Sequence, residues 1–176
     1  LQPALGTLVI AESGIAKETL TVLQNAREYS QKAIRAVKEF NPNFDIHKAQ
    51  PTDYKLYLDI VPKVYQNHWY AAIHNYVLTL KAKNALKNST SDWGQLGQWM
   101  NDHQQILQER IQNTPKAMIL QMNAARKAGA IGAKIIGSGG GGCMVAMVTE
   151  ETKQQVIDAF LSQGAVAAYE VHLTSL

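Results

Sequence analysis

The sequence contains a single cysteine, Cys143, among its 176 residues, which excludes an internal disulfide. It also has no apolar run approaching the roughly 18 residues of a membrane-spanning helix, and no charged-then-apolar signal segment opens it. No run of four basic residues occurs, and the net charge of +3 is spread along the helices, which argues against nucleic acid or an anionic membrane as the main partner. Together these absences favour a protein of the reducing cytoplasm.

Residue patterns for metal binding and for catalysis are also missing. His68 and His74 are six positions apart, so on one helix they point to different faces, and neither HExxH nor a Cys/His cluster occurs. Asp102 and His103 are neighbours that diverge by about 100° on a helix, which is typical of surface residues. Since there is also no Ser-His-Asp set and no acidic pair for Mg²⁺, we predict neither a catalytic residue nor a metal ligand in this chain.

The composition indicates one globular domain over residues 1–176. Hydrophobic residues make up 46% and charged residues 18% of the chain, which is long enough to bury a core. The chain begins at Leu1 without an initiator methionine, so we expect it to be a piece of a longer protein.

The hydrophobic periodicity predicts an α+β fold. Short apolar runs predict strands and apolar residues at helical spacing predict helices, one of them interrupted at Pro62. The predicted strands are 7–11, 134–136, 143–148 and 167–173, and the predicted helices are 17–40, 54–87, 92–111, 115–128 and 150–162. In the last strand Ala167, Tyr169, Val171 and Leu173 alternate with Ala168, Glu170 and His172, which predicts a half-buried strand. This order favours two layers, a small, mainly antiparallel sheet with helices packed on one face.

A run of glycines between two predicted strands is the strongest functional signal. Glycine has no Cβ, so it adopts positive φ and lets backbone N–H groups converge on an anion. A dinucleotide site needs a helix after such a run and a P-loop needs Lys-Ser or Lys-Thr, whereas a strand beginning with Cys143-Met144 follows here. A hairpin without a ligand is the alternative, but ordinary hairpins need only one or two glycines. The predicted phosphate or substrate-cleft loop consists of Gly137, Ser138, Gly139, Gly140, Gly141 and Gly142.

Several single residues have both a plain and a functional interpretation. The Ser138 hydroxyl either donates to a phosphate or sugar oxygen or is merely small enough to fit. Lys17 begins a helix whose N-terminus favours an anion, although a solvated lysine is the favoured interpretation. Cys143 is better interpreted as a buried small hydrophobe than as a nucleophile. For five aromatic residues core packing is favoured over an interface with a further domain: Trp69, Tyr70, Tyr76, Trp93 and Trp99.

The glycine run and its flanks resemble a known family. Residues 128–143 (AGAIGAKIIGSGGGGC) look like the third motif of the GHMP small-molecule kinases, which include galactokinase, homoserine kinase, mevalonate kinase and phosphomevalonate kinase. Residues 96–103 (LGQWMNDH) and the helix start at Thr114-Pro115 are similar to the segment that precedes this motif in galactokinases and mevalonate kinases. The resemblance is good from Leu96 to Leu173 and loose from Leu5 to Leu86.

This resemblance implies a ferredoxin-like C-terminal domain whose glycine loop borders the cleft where ATP phosphates and the acceptor hydroxyl meet. In the family the ATP-cradling motif, the Mg²⁺ ligands and the catalytic aspartate belong to the N-terminal domain, and no Pro-x-x-x-Gly-Leu-x-Ser-Ser pattern occurs here. Two residues depart from the pattern, Ile136 for a frequent Thr and Ser138 for a frequent Ala.

The implied parent is an ATP- and Mg²⁺-dependent kinase that phosphorylates a sugar hydroxyl and is most similar to galactokinase, and we expect the isolated chain to be inactive. The alternatives are a mevalonate or heptose-phosphate kinase of the same superfamily, or a non-catalytic small-molecule sensor.

Overall fold

The computed structural model describes residues 7–17, 19–87 and 92–171. Its strands are β1 (Thr7–Glu12), β2 (Gly132–Ile135), β3 (Cys143–Val148) and β4 (Ala167–Val171). Its α-helices are α1 (Thr19–Phe40), α2 (Pro51–Leu56), α3 (Gln66–Ala85), α4 (Trp93–Ile106), α5 (Lys116–Lys127) and α6 (Lys153–Ser162). Short 3₁₀ turns occupy Ile46–Lys48 and Lys63–Tyr65, and a π-helical turn, Leu107–Ile111, extends α4. None of the described helices is long and apolar enough to cross a membrane.

The four strands form one antiparallel sheet in the order β2-β3-β1-β4. A strand, a helical insertion, a hairpin, a helix and a final strand in this order give the ferredoxin-like arrangement. The predicted α+β fold with helices packed on a small antiparallel sheet is therefore confirmed. The glycine run is the β2–β3 connection, and the β3 bounds are those predicted from the sequence.

The main core lies between the sheet and helices α5 and α6. Met118 and Met122 of α5 and Phe160 of α6 are fully buried against the β1 and β3 side chains Val9 and Ala146. Both helices place apolar side chains three to four residues apart, so each offers one apolar stripe to the sheet.

A second, smaller core joins α1, α2 and α3 around Trp69. The Trp69 ring is 0% exposed, contacts Phe44 and Tyr57, and its indole N–H donates to the Tyr54 carbonyl at 3.2 Å. Core packing is therefore confirmed for Trp69. The break predicted at Pro62 is also present, but the segment starts earlier than predicted, at Pro51, where Gln50 and Asp53 form a capping box.

The final strand is half-buried as predicted. The residues that face the core, however, are the set with Ala168 and Glu170, and not the more apolar set with Ala167, Tyr169 and Val171. Because Ala11 pairs with Ala168, Ala168 lies on the helix side and packs against the core, whereas Tyr169 is 44% exposed on the opposite face. On the helix side Glu170 forms an ion pair with Lys153 of α6 at 2.7 Å. His172 and Leu173, part of the predicted strand, lie outside the described residues.

Helix α4 covers the free edge of β2. Gly97 and Gly132 let the two backbones meet, since a Cβ on Gly132 would lie 2.6 Å from the Gly97 carbonyl oxygen. The Asn101 side chain donates to the Ile131 carbonyl at 3.1 Å and accepts from the Ala133 N–H at 3.0 Å. It thus makes the backbone hydrogen bonds that a neighbouring strand would otherwise make at this edge. These bonds satisfy backbone groups at the start of β2.

Candidate functional site

The glycine loop between β2 and β3 has a backbone that other residues rarely adopt. Its five glycines all have positive φ: 77° at Gly137, 83° at Gly139, 73° at Gly140, 133° at Gly141 and 83° at Gly142. L-residues with a Cβ are strained in this region. A hairpin turn alone does not require five such residues, so the run serves a particular loop shape.

Two chain segments enclose the glycine loop. On one side, the residues after β1 bond to its end: Gly142 N–H donates to the Ile15 carbonyl at 3.1 Å, and Ser13 N–H donates to the Gly142 carbonyl at 2.9 Å. On the other side lies Asn113, between the π-helical turn and α5. Its carbonyl accepts from Gly140 N–H at 2.7 Å, and its side-chain amide donates to the Ser138 carbonyl at 2.8 Å.

The close approach of these segments requires glycine at two positions. A Cβ on Gly139 would lie 2.3 Å from the Asn113 carbonyl oxygen, and one on Gly141 would lie 2.6 Å from the Ala16 carbonyl oxygen. Atoms at those separations overlap, so each substitution would displace backbone.

The loop also leaves hydrogen-bond donors open. Within the described ranges, the backbone N–H groups of Gly137, Ser138, Gly139 and Gly141 donate to no protein acceptor. The Lys17 ammonium lies 3.2 Å from where a Cβ on Gly137 would be, and no described carboxylate pairs with it. Unbonded amides beside an unpaired cation form an environment suited to an anion such as a phosphate.

A cavity of about 350 Å³ lies on one side of the loop, between α1, α3 and the π-helical turn. Two oxygens of cavity-lining residues, Ser138 Oγ and Asn75 Oδ1, are buried without a hydrogen-bond partner among the described residues. A buried polar atom without a partner is costly, so these two oxygens mark an unsatisfied polar spot beside the cavity. Arg27 is the one charged residue in the described lining.

A second cavity, of about 360 Å³, lies across the loop, where Ile15, Ala16 and Gly140 face residues 112–115. Asn113 lines both cavities, so together with the loop it forms the wall between them.

The histidines lie elsewhere. His103, predicted to be a surface residue, is half-buried beside an apolar cavity of about 440 Å³, where burial and then the Lys134 charge lower its pKa to about 4. His74 stacks on Tyr70 with 4.0 Å between ring centroids, and burial lowers the pKa of His68. Among the described residues, no three His, Cys, Asp or Glu side chains are grouped to hold a metal ion.

The sequence predicted residues 137–142 as one loop, but it did not predict which other residues surround that loop. Asn113, Asn75 and Arg27 come to the loop only through the tertiary fold, and no local motif marks them. Pro115 occupies the cap position of α5, and the Thr114 hydroxyl beside it accepts from Gln104 Nε2 at 3.1 Å.

The strand order and the open loop define a ferredoxin-like α+β domain with a candidate anion-binding loop between its second and third strands. Residues 82–166 match the family model of the GHMP kinases C terminal region, which confirms the resemblance seen in residues 128–143. The matched segment contains the whole glycine loop and Asn113, whereas Lys17 and Arg27 precede it.

Two curated proteins are similar in sequence. The chain is 42% identical over 77 residues to the mevalonate kinase of Thermococcus onnurineus (strain NA1), over 42% of this chain and 23% of that protein. It is 35% identical over 94 residues to the mevalonate kinase of Thermococcus gammatolerans (strain DSM 15229 / JCM 11827 / EJ3), over 52% of this chain and 28% of that protein. The matches thus span about a quarter of the length of these relatives.

Solved structures share the fold. Lactococcus lactis galactokinase complexed with galactose superposes with a TM-score of 0.79 at 16% identity, over 94% of this chain and 44% of that one. The mevalonate kinase of L. major in complex with R-mevalonate gives a TM-score of 0.61 at 20% identity, over 93% of this chain and 41% of that one. At such identities the likeness shows the fold alone.

Proposed function

We propose that this chain is the C-terminal domain of an ATP-dependent small-molecule kinase, and that residues 137–142 bind phosphate oxygens during transfer. The observation that carries the proposal is the set of unbonded N–H groups at Gly137, Ser138, Gly139 and Gly141, together with the unpaired Lys17 ammonium beside Gly137. The loop also lies inside the segment that matches the kinase family model.

In the proposed reaction the acceptor hydroxyl oxygen forms a bond to the γ-phosphorus of ATP while the bond from that phosphorus to the ADP oxygen breaks. The hydroxyl proton passes to a base in the rest of the longer protein. Negative charge on the equatorial phosphoryl oxygens has to be offset, and catalysis is mostly positioning and charge stabilisation. Open amides and Lys17 supply that stabilisation from this domain.

Mg²⁺ serves such reactions by neutralising phosphate charge. Its preferred ligands are carboxylate oxygens, and the described part of the chain offers no acidic cluster to hold it. We therefore assign phosphate contacts to this domain, and we assign the metal ligands to the rest of the longer protein.

For the acceptor, we favour a carboxylate-bearing alcohol, mevalonate, ahead of the sugar expected from the motif. Two relatives above 30% identity are named mevalonate kinase. The cavity beside Ser138 also carries the positive charge of Arg27, which complements a carboxylate and has no counterpart on a neutral sugar.

The test is ADP release by the full-length protein with ATP, Mg²⁺ and, separately, mevalonate, galactose and a heptose phosphate. We expect turnover with mevalonate, and Arg27→Gln should raise the mevalonate KM about 10-fold, the effect of losing about 1.4 kcal/mol of binding. Arg35→Gln, on the same helix outside this cavity, is the matched control.

Turnover with galactose alone would restore the sugar assignment. Ligand binding without turnover by any acceptor would contradict the kinase proposal and favour a sensor.

A further inference from the structure

Asn113 contacts the glycine loop through both its backbone and its side chain. It is 8% exposed. Its carbonyl accepts from Gly140 N–H at 2.7 Å, while its Nδ2 donates to the Ser138 carbonyl at 2.8 Å. The two bonds reach loop positions two residues apart, so they fix the curvature of the loop as well as its location.

The chain around Asn113 is shaped to present these groups. The π-helical turn Leu107–Ile111 ends at Gln112, which has φ 59° and is the one non-glycine residue with positive φ in the described ranges. Asn113 N–H then donates back to the Leu107 carbonyl at 3.3 Å. π-Helical turns and left-handed non-glycine residues are energetically unfavourable and tend to occur at functional sites.

A buried network connects Asn113 with the strand that enters the loop. The Thr114 hydroxyl is 3.4 Å from Asn113 Oδ1 and accepts from Gln104 Nε2 at 3.1 Å. Gln104, 1% exposed, uses its oxygen to accept from Ile135 N–H at 2.9 Å. The last residue of β2, Ile135, and the loop residues Ser138 and Gly140 are thus hydrogen-bonded to one connected set of polar groups.

From these contacts we infer that Asn113 is a positioning residue that holds the glycine loop in its phosphate-binding shape, an inference that rests on the proposed kinase function. A segment with five glycines loses more backbone entropy on ordering than any other, and it has few side chains to hold it. Without the Asn113 side chain the Ser138 carbonyl loses its partner. Of its two bonds to Asn113, the loop then keeps only the one from Gly140 N–H to the Asn113 carbonyl.

The chain offers a matched control in Asn101. Its side chain also bridges a helix to backbone groups around β2, with bonds of 3.1 Å to Ile131 and 3.0 Å to Ala133. These bonds lie at the end of β2 far from the loop. Asn101→Ala therefore removes a comparable pair of structural bonds without touching the glycine loop.

The experiment compares full-length wild type with Asn113→Ala, Asn113→Asp and Asn101→Ala by steady-state kinetics, thermal unfolding and amide hydrogen exchange. We expect both Asn113 variants to lower kcat by about 10- to 100-fold, the range for a misplaced catalytic group. Exchange at the two hydrogen-bonded loop amides, Gly140 and Gly142, should become at least several-fold faster. Asn101→Ala should lower Tm and leave kcat within about twofold of wild type. Asn113→Asp keeps the side-chain shape and loses the donor to Ser138, so it serves if the alanine variant does not fold.

The inference is overturned if the Asn113 variants only lower Tm, as the control does, with kcat and loop exchange unchanged. If wild type shows no turnover with any acceptor, the kinase proposal fails separately. Hydrogen exchange then decides alone whether Asn113 orders the loop.

Discussion

Replacing Gly139 with alanine tests whether the glycine loop packs against Asn113 as described. Gly139 has φ 83°, and a Cβ there would lie 2.3 Å from the Asn113 carbonyl oxygen and 2.9 Å from its side-chain carbon. The nearest obstacle is backbone, so rotation of a side chain cannot relieve the overlap. Either the loop or the 112–115 segment has to move.

The expected destabilisation has two parts, which a control can separate. Alanine at positive φ costs about 1 to 2 kcal/mol, and forcing a methyl group into filled space adds about 1 to 3 kcal/mol. Gly164 has nearly the same φ, 87°, but a Cβ there meets nothing within 4 Å. Gly164→Ala should therefore show the first part alone, and Gly139→Ala should be less stable than Gly164→Ala by about 1 to 3 kcal/mol.

The assay is urea denaturation of wild type and both variants, followed by circular dichroism, with the unfolding free energies compared at equal m-values. Equal destabilisation by the two variants would refute the close packing of Gly139 on Asn113. A greater loss at Gly164 would refute it as well.

Two further predictions concern charge. Lys17→Met should raise the KM for ATP about 10-fold in the full-length protein, since about 1.4 kcal/mol of phosphate binding is lost. The control is Lys38→Met, in the last turn of α1, which should leave this KM unchanged; equal KM values for the two variants would contradict the role of Lys17. The pKa of His103 is lowered by folding to about 4, so the unfolded chain binds its proton first and stability falls as pH drops from about 6.5 to about 4. His103→Gln should reduce the fall in unfolding free energy between about pH 6.5 and about pH 4, measured by urea denaturation at several pH values. The same pH profile for the variant and wild type would refute the role of His103.

The alternating and apolar runs of the sequence were enough to predict most of the sheet, because they depend on local periodicity. Strand β3 has the predicted bounds, and α5 lies within one residue of the predicted helix at each end. The alternation in β4 was less informative because apolar residues stand at both Ala167 and Ala168. Only pairing with β1 decides which of them faces the core.

The candidate loop was visible in the sequence because five of its six consecutive residues are glycine, whereas the residues that surround it were not recognisable. Asn113 lies 25 positions before Ser138 and contacts it only after α5 and β2 have packed. Gln104 and Asn75 are ordinary helical residues by spacing, and their roles depend on which strand edge or cavity the helix meets. Such long-range polar contacts have no periodic signature in one sequence.

The central claim, that residues 137–142 face phosphate in a kinase, is tested most directly by amide NMR of the ¹⁵N-labelled full-length protein. A non-hydrolysable ATP analogue with Mg²⁺ should shift the resonances of Gly137, Ser138 and Gly141 and leave that of Gly164 unchanged. If the nucleotide binds while the three loop resonances stay in place, the phosphate-binding role of the loop is contradicted.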